Sequence, residues 1–187
     1  MNYLGNAWRH FMTVNRHKWE VMKNCFRIGL YKQGILHDLS KYSWTEFKTG
    51  IMYFQGNRSP NTAERLETGV SVAWLHHKGR NKHHYEYWCD YDIDHKGELI
   101  GCRMPYRYVA EMFCDRVAAS KIYKGKEYDD GCPWEYYLPA KETKLIEAKT
   151  KQELEELLLM LKNEGEEKTF EYLKSEVARR KREHDGF

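Results

Sequence analysis

Apolar residues recur at helical spacing in the N-terminal part of the chain. Over residues 6–29, the side chains of Val14, Val21 and Cys25 fall on one face of a helix, which predicts an amphipathic element. A second apolar pattern predicts a shorter helix over about residues 31–40. This part of the chain is therefore predicted to be helical.

Two capping patterns predict where later helices begin. Ser43 with Glu46, and Thr150 with Glu153, have the spacing of a capping box, in which a hydroxyl and a carboxylate satisfy free backbone N–H groups. The first box predicts a helix after Ser43. The second predicts a Leu-rich helix that Gly165 interrupts.

An apolar stripe over residues 60–78 ends in a histidine. The serine–proline pair at its start is typical of a helix N-terminus. Leu66, Val70 and Ala73 lie on one helical face, and His77 is the next position on that stripe. The pattern predicts a single helix that turns His77 toward the core.

The remaining segments combine a hairpin with further helices. Residues 86–103 alternate in polarity around a His-Lys-Gly turn, which predicts a small β-hairpin. Pro105 begins a predicted helix to about residue 122, and residues 123–149 give no firm element. A charged last helix is predicted to end at about Arg182.

These elements predict a mostly α protein. A chain of 187 residues has the length of a single domain. We assign residues 1–125 to a helical domain with the small hairpin, and residues 126–187 to a C-terminal helical extension packed on the same domain. Leu154–Leu161 has too many consecutive apolar residues for a coiled-coil seam, so it predicts a buried helix or a homodimer contact.

Composition and charge argue against several functional classes. Lys and Arg total 31 and Asp and Glu total 28, and a net charge of +3 is too small to indicate a nucleic-acid-binding protein. No run approaches the roughly 18 apolar residues of a membrane-spanning helix. The N-terminal sequence shows no secretory signal and the five cysteines form no C-x-x-C pair, so a cytoplasmic location with reduced thiols is expected.

Histidines and aspartates on or beside these apolar faces are the candidate functional residues. Burying one such group needs only a hydrogen bond, but burying several without a cation costs several kcal/mol each. Imidazole and carboxylate ligands together predict a divalent metal (Fe, Mn, Ni, Co, Zn or Mg), with one or two ions per chain. The candidate ligands are His17, His37, Asp38, His77, His83, His84 and Asp115.

Three ligand assignments stay open from the residues alone. His76 adjoins His77, although the apolar stripe favours His77. The preceding loop sets no helical phase that would choose within the pair His83–His84. Glu111 precedes Asp115 by one helical turn and competes with it, although the shorter Asp115, beside small alanines, suits a rigid metal site better.

Basic residues surround the candidate ligands in the sequence. A cleft lined by them would attract anions even at a small net charge. The expected partner is therefore a small anionic molecule. The basic residues concerned are Arg16, Lys18, Lys78, Arg80 and Lys82.

The order of the candidate ligands resembles the HD-domain superfamily of metal-dependent phosphohydrolases. The segment GILHDLSK (Gly34–Lys41) is similar to its apolar-apolar-His-Asp-x-x-Lys motif, and His17 lies about twenty residues upstream, as the family's first histidine does. AWLHH (Ala73–His77), followed by N-x-HH, Met-Pro and Glu-Met, resembles a small uncharacterised HD-like family of bacteria and phages. The resemblance covers about residues 10–120.

The resemblance implies an HD-type helical domain that hydrolyses a nucleotide or another small phosphoester. Asp38 and Lys41 would be catalytic, with Lys41 stabilising charge on a phosphoryl oxygen. Two alternatives use the same ligands: a mixed-valence di-iron oxygenase and a non-catalytic, metal-stabilised binding protein. The implied ligands are His17, His37, Asp38 and Asp115 for a first metal, with Asp38 bridging to a second held by His77 and by His83 or His84.

Overall fold

Helices make up most of the described chain. The structure, a computed structural model, describes residues 3–56, 58–143 and 145–183. The α-helices in these ranges are α1 Tyr3–Arg27, α2 Tyr31–Leu36, α3 Trp44–Met52, α4 Pro60–Thr68, α5 Val72–Lys78, α6 Tyr106–Lys124, α7 Cys132–Tyr137, α8 Ala148–Glu164 and α9 Glu166–Glu183. Short 3₁₀ helices occupy Leu39–Tyr42, Tyr85–Tyr87, Gly125–Glu127 and Leu138–Ala140. The mostly α prediction, with its C-terminal helical stretch, is confirmed.

The predicted hairpin is present and small. Strand β1, Cys89–Tyr91, pairs antiparallel with β2, Leu99–Gly101. Gly101 lies directly against the backbone of Leu145, where a Cβ atom would collide with the carbonyl group. The glycine therefore lets the hairpin approach the chain that leads into α8.

Helix α6 lies at the centre of the hydrophobic core. One of its faces buries Val109, Phe113 and Val117 completely. Helices from both predicted segments share this core, so the described residues after 126 pack on the preceding domain. The core residues that α1, α8 and α9 contribute include Val21, Cys25, Leu154, Leu157, Leu158, Leu161, Phe170 and Leu173.

The predicted single helix over residues 60–78 is wrong, because the chain folds as α4 and α5. Gly69 has a φ of 84°, a left-handed conformation that ends α4. The Ser71 hydroxyl then accepts a hydrogen bond from the amide of Trp74 and begins α5. Leu66 and Val70, at 70% and 46% exposure, therefore do not belong to the core.

The two predicted capping boxes are also wrong. Ser43 precedes α3, but its side chain makes no capping hydrogen bond, and Glu46 turns away toward the histidines of α5. Helix α8 begins earlier than predicted, because the Glu147 carboxylate accepts the amides of Lys149 and Thr150. A carboxylate at the N-cap also interacts favourably with the helix dipole.

Two further features of the fold bear on function. Among the described residues, no helix combines the length and the apolar character that a membrane crossing requires. All five cysteines are free, and Cys25, Cys114 and Cys132 are buried.

Candidate metal centre

The predicted second helix ends before His37 and Asp38. Asp38 has φ 55° and ψ 26°, a left-handed conformation that aspartate tolerates better than most residues. Lys18 fixes this break from α1, because its Nζ donates to the carbonyls of Ile35 at 2.6 Å and His37 at 2.9 Å. The break turns His37 and Asp38 inward, and each is only 2% exposed.

A first group of donors forms where α1 and α6 meet this break. His17 Nε2 lies 2.9 Å from Asp115 Oδ1 and 3.6 Å from Asp38 Oδ2. His37 Nε2 lies 3.3 Å from the same Asp38 oxygen and 3.7 Å from Asp115 Oδ1. One donor atom from each of His17, His37, Asp38 and Asp115 falls within a single cluster.

A second group of donors faces the other oxygen of Asp38. His77 Nε2 lies 3.3 Å and His83 Nε2 lies 3.4 Å from Asp38 Oδ1. His84 joins the group, with its Nε2 at 2.9 Å from His77 Nε2. Both members of the pair His83–His84 therefore face the site, whereas His76 pairs with Glu46 outside it.

The spacing of these atoms suits metal coordination. A metal about 2.0–2.2 Å from each ligand places neighbouring ligand atoms about 2.8–3.6 Å apart in tetrahedral or octahedral geometry. The distances from Asp38 to the four histidine nitrogens run from 3.3 to 3.6 Å. Asp38 thus has one oxygen directed to each group, which is the arrangement of a bridging carboxylate.

Several of these buried atoms have no hydrogen-bond partner among the described residues. They are His17 Nε2, His37 Nε2, His83 Nε2 and Asp38 Oδ1. His17 Nε2 is close to Asp115 but is not oriented to form a hydrogen bond with it. Unpaired buried polar atoms are costly, and four that face one another fit a site that holds cations.

Two glutamates contact the Nδ1 atoms of histidines whose Nε2 atoms face Asp38. Glu111 Oε1 lies 3.0 Å from His37 Nδ1 and 3.2 Å from His83 Nδ1. Glu46 Oε2 lies 2.8 Å from His77 Nδ1. A carboxylate that accepts a hydrogen bond from Nδ1–H holds the proton on Nδ1, which leaves Nε2 of the neutral ring free to bind a metal.

The position of Glu111 indicates which of the two residues, Glu111 or Asp115, suits the role of metal ligand. Glu111, His37 and His83 also form a close group of three potential ligands. Coordination there through Nδ1 would leave the unpaired Nε2 atoms of both histidines facing Asp38 with no partner. Glu111 therefore suits the role of orienting the two rings, and Asp115 suits the role of ligand.

Electrostatics keep the two aspartates ionised. Burial opposes ionisation of Asp38, but His37 and Lys41 outweigh it and hold the pKa of Asp38 well below its usual value. Burial opposes ionisation of Asp115 as well, and His17 and His37 hold its pKa well below the usual value. Both carboxylates are therefore acceptors, as ligands must be.

Lys41 lies next to this centre and is partly open to solvent. Its Nζ is 2.6 Å from Asp38 Oδ2, and its side chain is 28% exposed. Burial lowers the pKa of Lys41, but the charges of Asp38 and Asp115 outweigh that effect and raise it above its usual value. Lys41 is thus a fixed positive charge beside the donor groups.

A cavity of about 700 Å³ opens onto both donor groups. Its basic lining residues in the described chain are Lys41, Arg58 and Arg116. None of the five basic residues that the sequence predicted around the site lines this cavity, so the prediction that they form the cleft is wrong. Lys18, for example, is occupied with the carbonyls of Ile35 and His37.

Sequence reasoning missed Glu46 and the orienting role of Glu111. Glu46 had a local explanation as part of a capping box, and its true partners lie about 30 residues away. Contacts of that kind leave no periodic signal in the sequence. For Glu111, the only available signal was its position one turn before Asp115.

Comparison with known proteins gives one match. The model of a family of unknown function, DUF5662, matches residues 6–160, a range that contains every candidate ligand. No curated protein and no solved structure shows significant similarity to the chain.

Proposed function

Because the chain belongs to DUF5662, a family of unknown function, we propose its function from the site itself: a metal-dependent phosphohydrolase acting on small phosphoesters through a two-metal His/Asp centre. One observation carries this proposal. The buried carboxylate of Asp38 directs one oxygen to His17 and His37 and the other to His77 and His83. A shared carboxylate between two imidazole groups suits two neighbouring divalent cations.

The protein's own residues would position the reacting groups. A pair of divalent cations, when bound, would lower the pKa of water and polarise phosphoryl oxygens. Glu46 and Glu111 hold the histidine rings with Nε2 inward, so the ligands are oriented before any metal arrives. Lys41 lines the cavity beside Asp38, where it can stabilise negative charge on a phosphoryl oxygen.

The substrate class follows from charge and access. Lys41, Arg58 and Arg116 line the cavity together with five carboxylates of the described chain, so an anion would be favoured by bound cations acting with these basic residues, although the net charge of the chain is only +3. The cavity volume of about 700 Å³ suits a small molecule. The resemblance of Gly34–Lys41 to the motif of the HD-domain phosphohydrolases supports phosphoester hydrolysis as the reaction.

Metal analysis followed by an activity assay tests the proposal. The protein, purified without chelators, should contain one or two divalent ions per chain by mass spectrometry of the metal content. A panel of phosphomonoesters and phosphodiesters should be hydrolysed with Mn²⁺, Ni²⁺ or Co²⁺, and not after EDTA treatment. Loaded protein that hydrolyses no member of the panel would contradict the proposal, and oxygen consumption by an iron-loaded form would favour the oxygenase alternative.

A further inference from the structure

Arg116 follows Asp115 on α6 and lines the same cavity. Consecutive side chains on an α-helix diverge by about 100°, so Arg116 does not share the direction of Asp115. Its guanidinium carbon lies 5.6 Å from the ring centroid of Tyr137, which belongs to α7. Arg116 therefore faces a different part of the cavity from the metal ligands.

The guanidinium of Arg116 has no direct acidic partner in the described residues. None of the described carboxylates forms an ion pair with Arg116, and the buried Nε of Arg116 has no hydrogen-bond partner. Lys41, by contrast, is paired with Asp38 at 2.6 Å. Glu86 also lines the cavity, but it does not pair with Arg116, since its buried Oε2 has no hydrogen-bond partner either.

An unpaired guanidinium in a cavity wall is suited to an anionic ligand. Arginine presents several donors in a fixed plane that matches a carboxylate or a phosphate. The ring of Tyr137 is fully buried and supports the guanidinium by a cation–π contact. The residue is thus held at the wall with donors that no described protein group uses.

We propose that Arg116 binds a second anionic group of the substrate, at a distance from the phosphoryl group that lies at the metal centre. This inference rests on the proposed function and adds a substrate class to it: phosphoesters that carry a further carboxylate or phosphate. The anionic oxygen is the shared chemistry of these two groups.

Binding of stable phosphonates tests Arg116 without requiring turnover. Alkylphosphonates of increasing length are compared with ω-carboxyalkylphosphonates and α,ω-alkylenediphosphonates of equal length, by calorimetry on the metal-loaded protein. At the best length, the second anionic group should tighten binding about 10-fold or more. The carboxylate and diphosphonate series then distinguish the two kinds of second group.

Variants assign the gain to one residue. Arg116→Gln should abolish the preference for the second anionic group, and Arg116→Lys should retain part of it. Arg107→Gln is the matched control, since Arg107 lies on the same helix, contacts Tyr108 and does not line the cavity. It should keep the full preference.

The outcomes separate this inference from the proposed function. An equal affinity for both probe series at every length, or a preference that survives Arg116→Gln, would overturn the role of Arg116. Phosphoester hydrolysis with no such preference would leave the proposed function intact. An Arg116-dependent preference without any hydrolysis would retain the anion site and remove the hydrolase.

Discussion

At the scale of single residues, Asp38 meets two structural demands at once. Its backbone is left-handed at φ 55°, and its carboxylate lies between the two donor groups. Asparagine and glycine would tolerate the backbone, but neither offers two anionic oxygens. Among common residues, only aspartate meets both demands well.

Asp38→Asn separates the carboxylate from the backbone. An amide cannot bridge two cations, so we expect bound metal and phosphoester hydrolysis to be lost together. Because asparagine tolerates the left-handed conformation, the variant should keep the circular dichroism spectrum of the metal-free protein. Metal content measured beside the exposed control Asp94→Asn checks this, and a variant with full metal content would contradict the bridging role.

Lys41→Ala tests a positive charge that contacts Asp38, a proposed ligand, but is not itself a proposed ligand. We expect the variant to keep its metal and to lose about 10²–10³-fold in kcat, because the positive charge beside the phosphoryl oxygen is absent. Lys48→Ala, an exposed lysine of α3, is the control and should be fully active. Unchanged kcat in Lys41→Ala would return Lys41 to the role of a surface lysine.

At the scale of elements, α6 carries Glu111 and Asp115 one turn apart with different roles. Glu111 contacts the Nδ1 atoms of His37 and His83, whereas Asp115 lies 2.9 Å from His17 Nε2. Under the proposed function, the same helix would supply one ligand, Asp115, and one residue, Glu111, that orients other ligands. One face of α6 packs in the hydrophobic core, and the face that carries Glu111 and Asp115 contacts the histidines of the candidate centre.

Asp115→Asn and Glu111→Gln should have different effects on metal binding. Asp115→Asn should remove the first metal, since a charged ligand is lost. Glu111→Gln should keep the metal stoichiometry at saturation and weaken affinity by about 10–100-fold, the typical cost of losing a residue that orients a ligand. Titration of both variants measures this, and the reverse ranking would transfer the ligand role to Glu111.

The sequence predicts local features of this site better than distant ones. His17 could be placed on an inward face, because an inward position repeats at helical spacing. His77 is also buried, but of the stripe that predicted it only Ala73 shares its helix and its burial. The partners of Glu46 could not be predicted, because they lie on another helix. The break between α4 and α5 was missed because Leu66 and Val70 continue an apolar pattern that the structure leaves at the surface.

At the scale of the whole molecule, the donor groups connect elements that are far apart in the chain. His17 lies on α1, His77 on α5 and Asp115 on α6. The hydrophobic core connects α1, α6, α8 and α9, but α5 contributes no residue to it. Metal binding should therefore stabilise the molecule mainly on the side of α5.

Removing the metal should lower the temperature of unfolding. A ligand present at about 100 times its Kd stabilises the folded state by about 2.7 kcal/mol. For a chain of this size, that corresponds to a decrease in Tm of about 5–10 °C on adding EDTA. Asp38→Asn is the control, since EDTA should leave its Tm unchanged. An equal Tm for the wild type with and without EDTA would contradict metal binding at this centre.

The two faces of α6 have a consequence for how the protein would acquire the proposed metal. The core face is complete without any ion, so α8 and α9 should keep slow amide hydrogen exchange in the metal-free protein. Amides of Val72–Lys78 should instead exchange faster without metal and become protected on its addition. Uniformly fast exchange without metal would mean that the ion drives folding, as in zinc fingers. Slow exchange in α1, α6, α8 and α9, with fast exchange only in Val72–Lys78, would mean that the chain folds first and that the ion enters a largely preformed receptor.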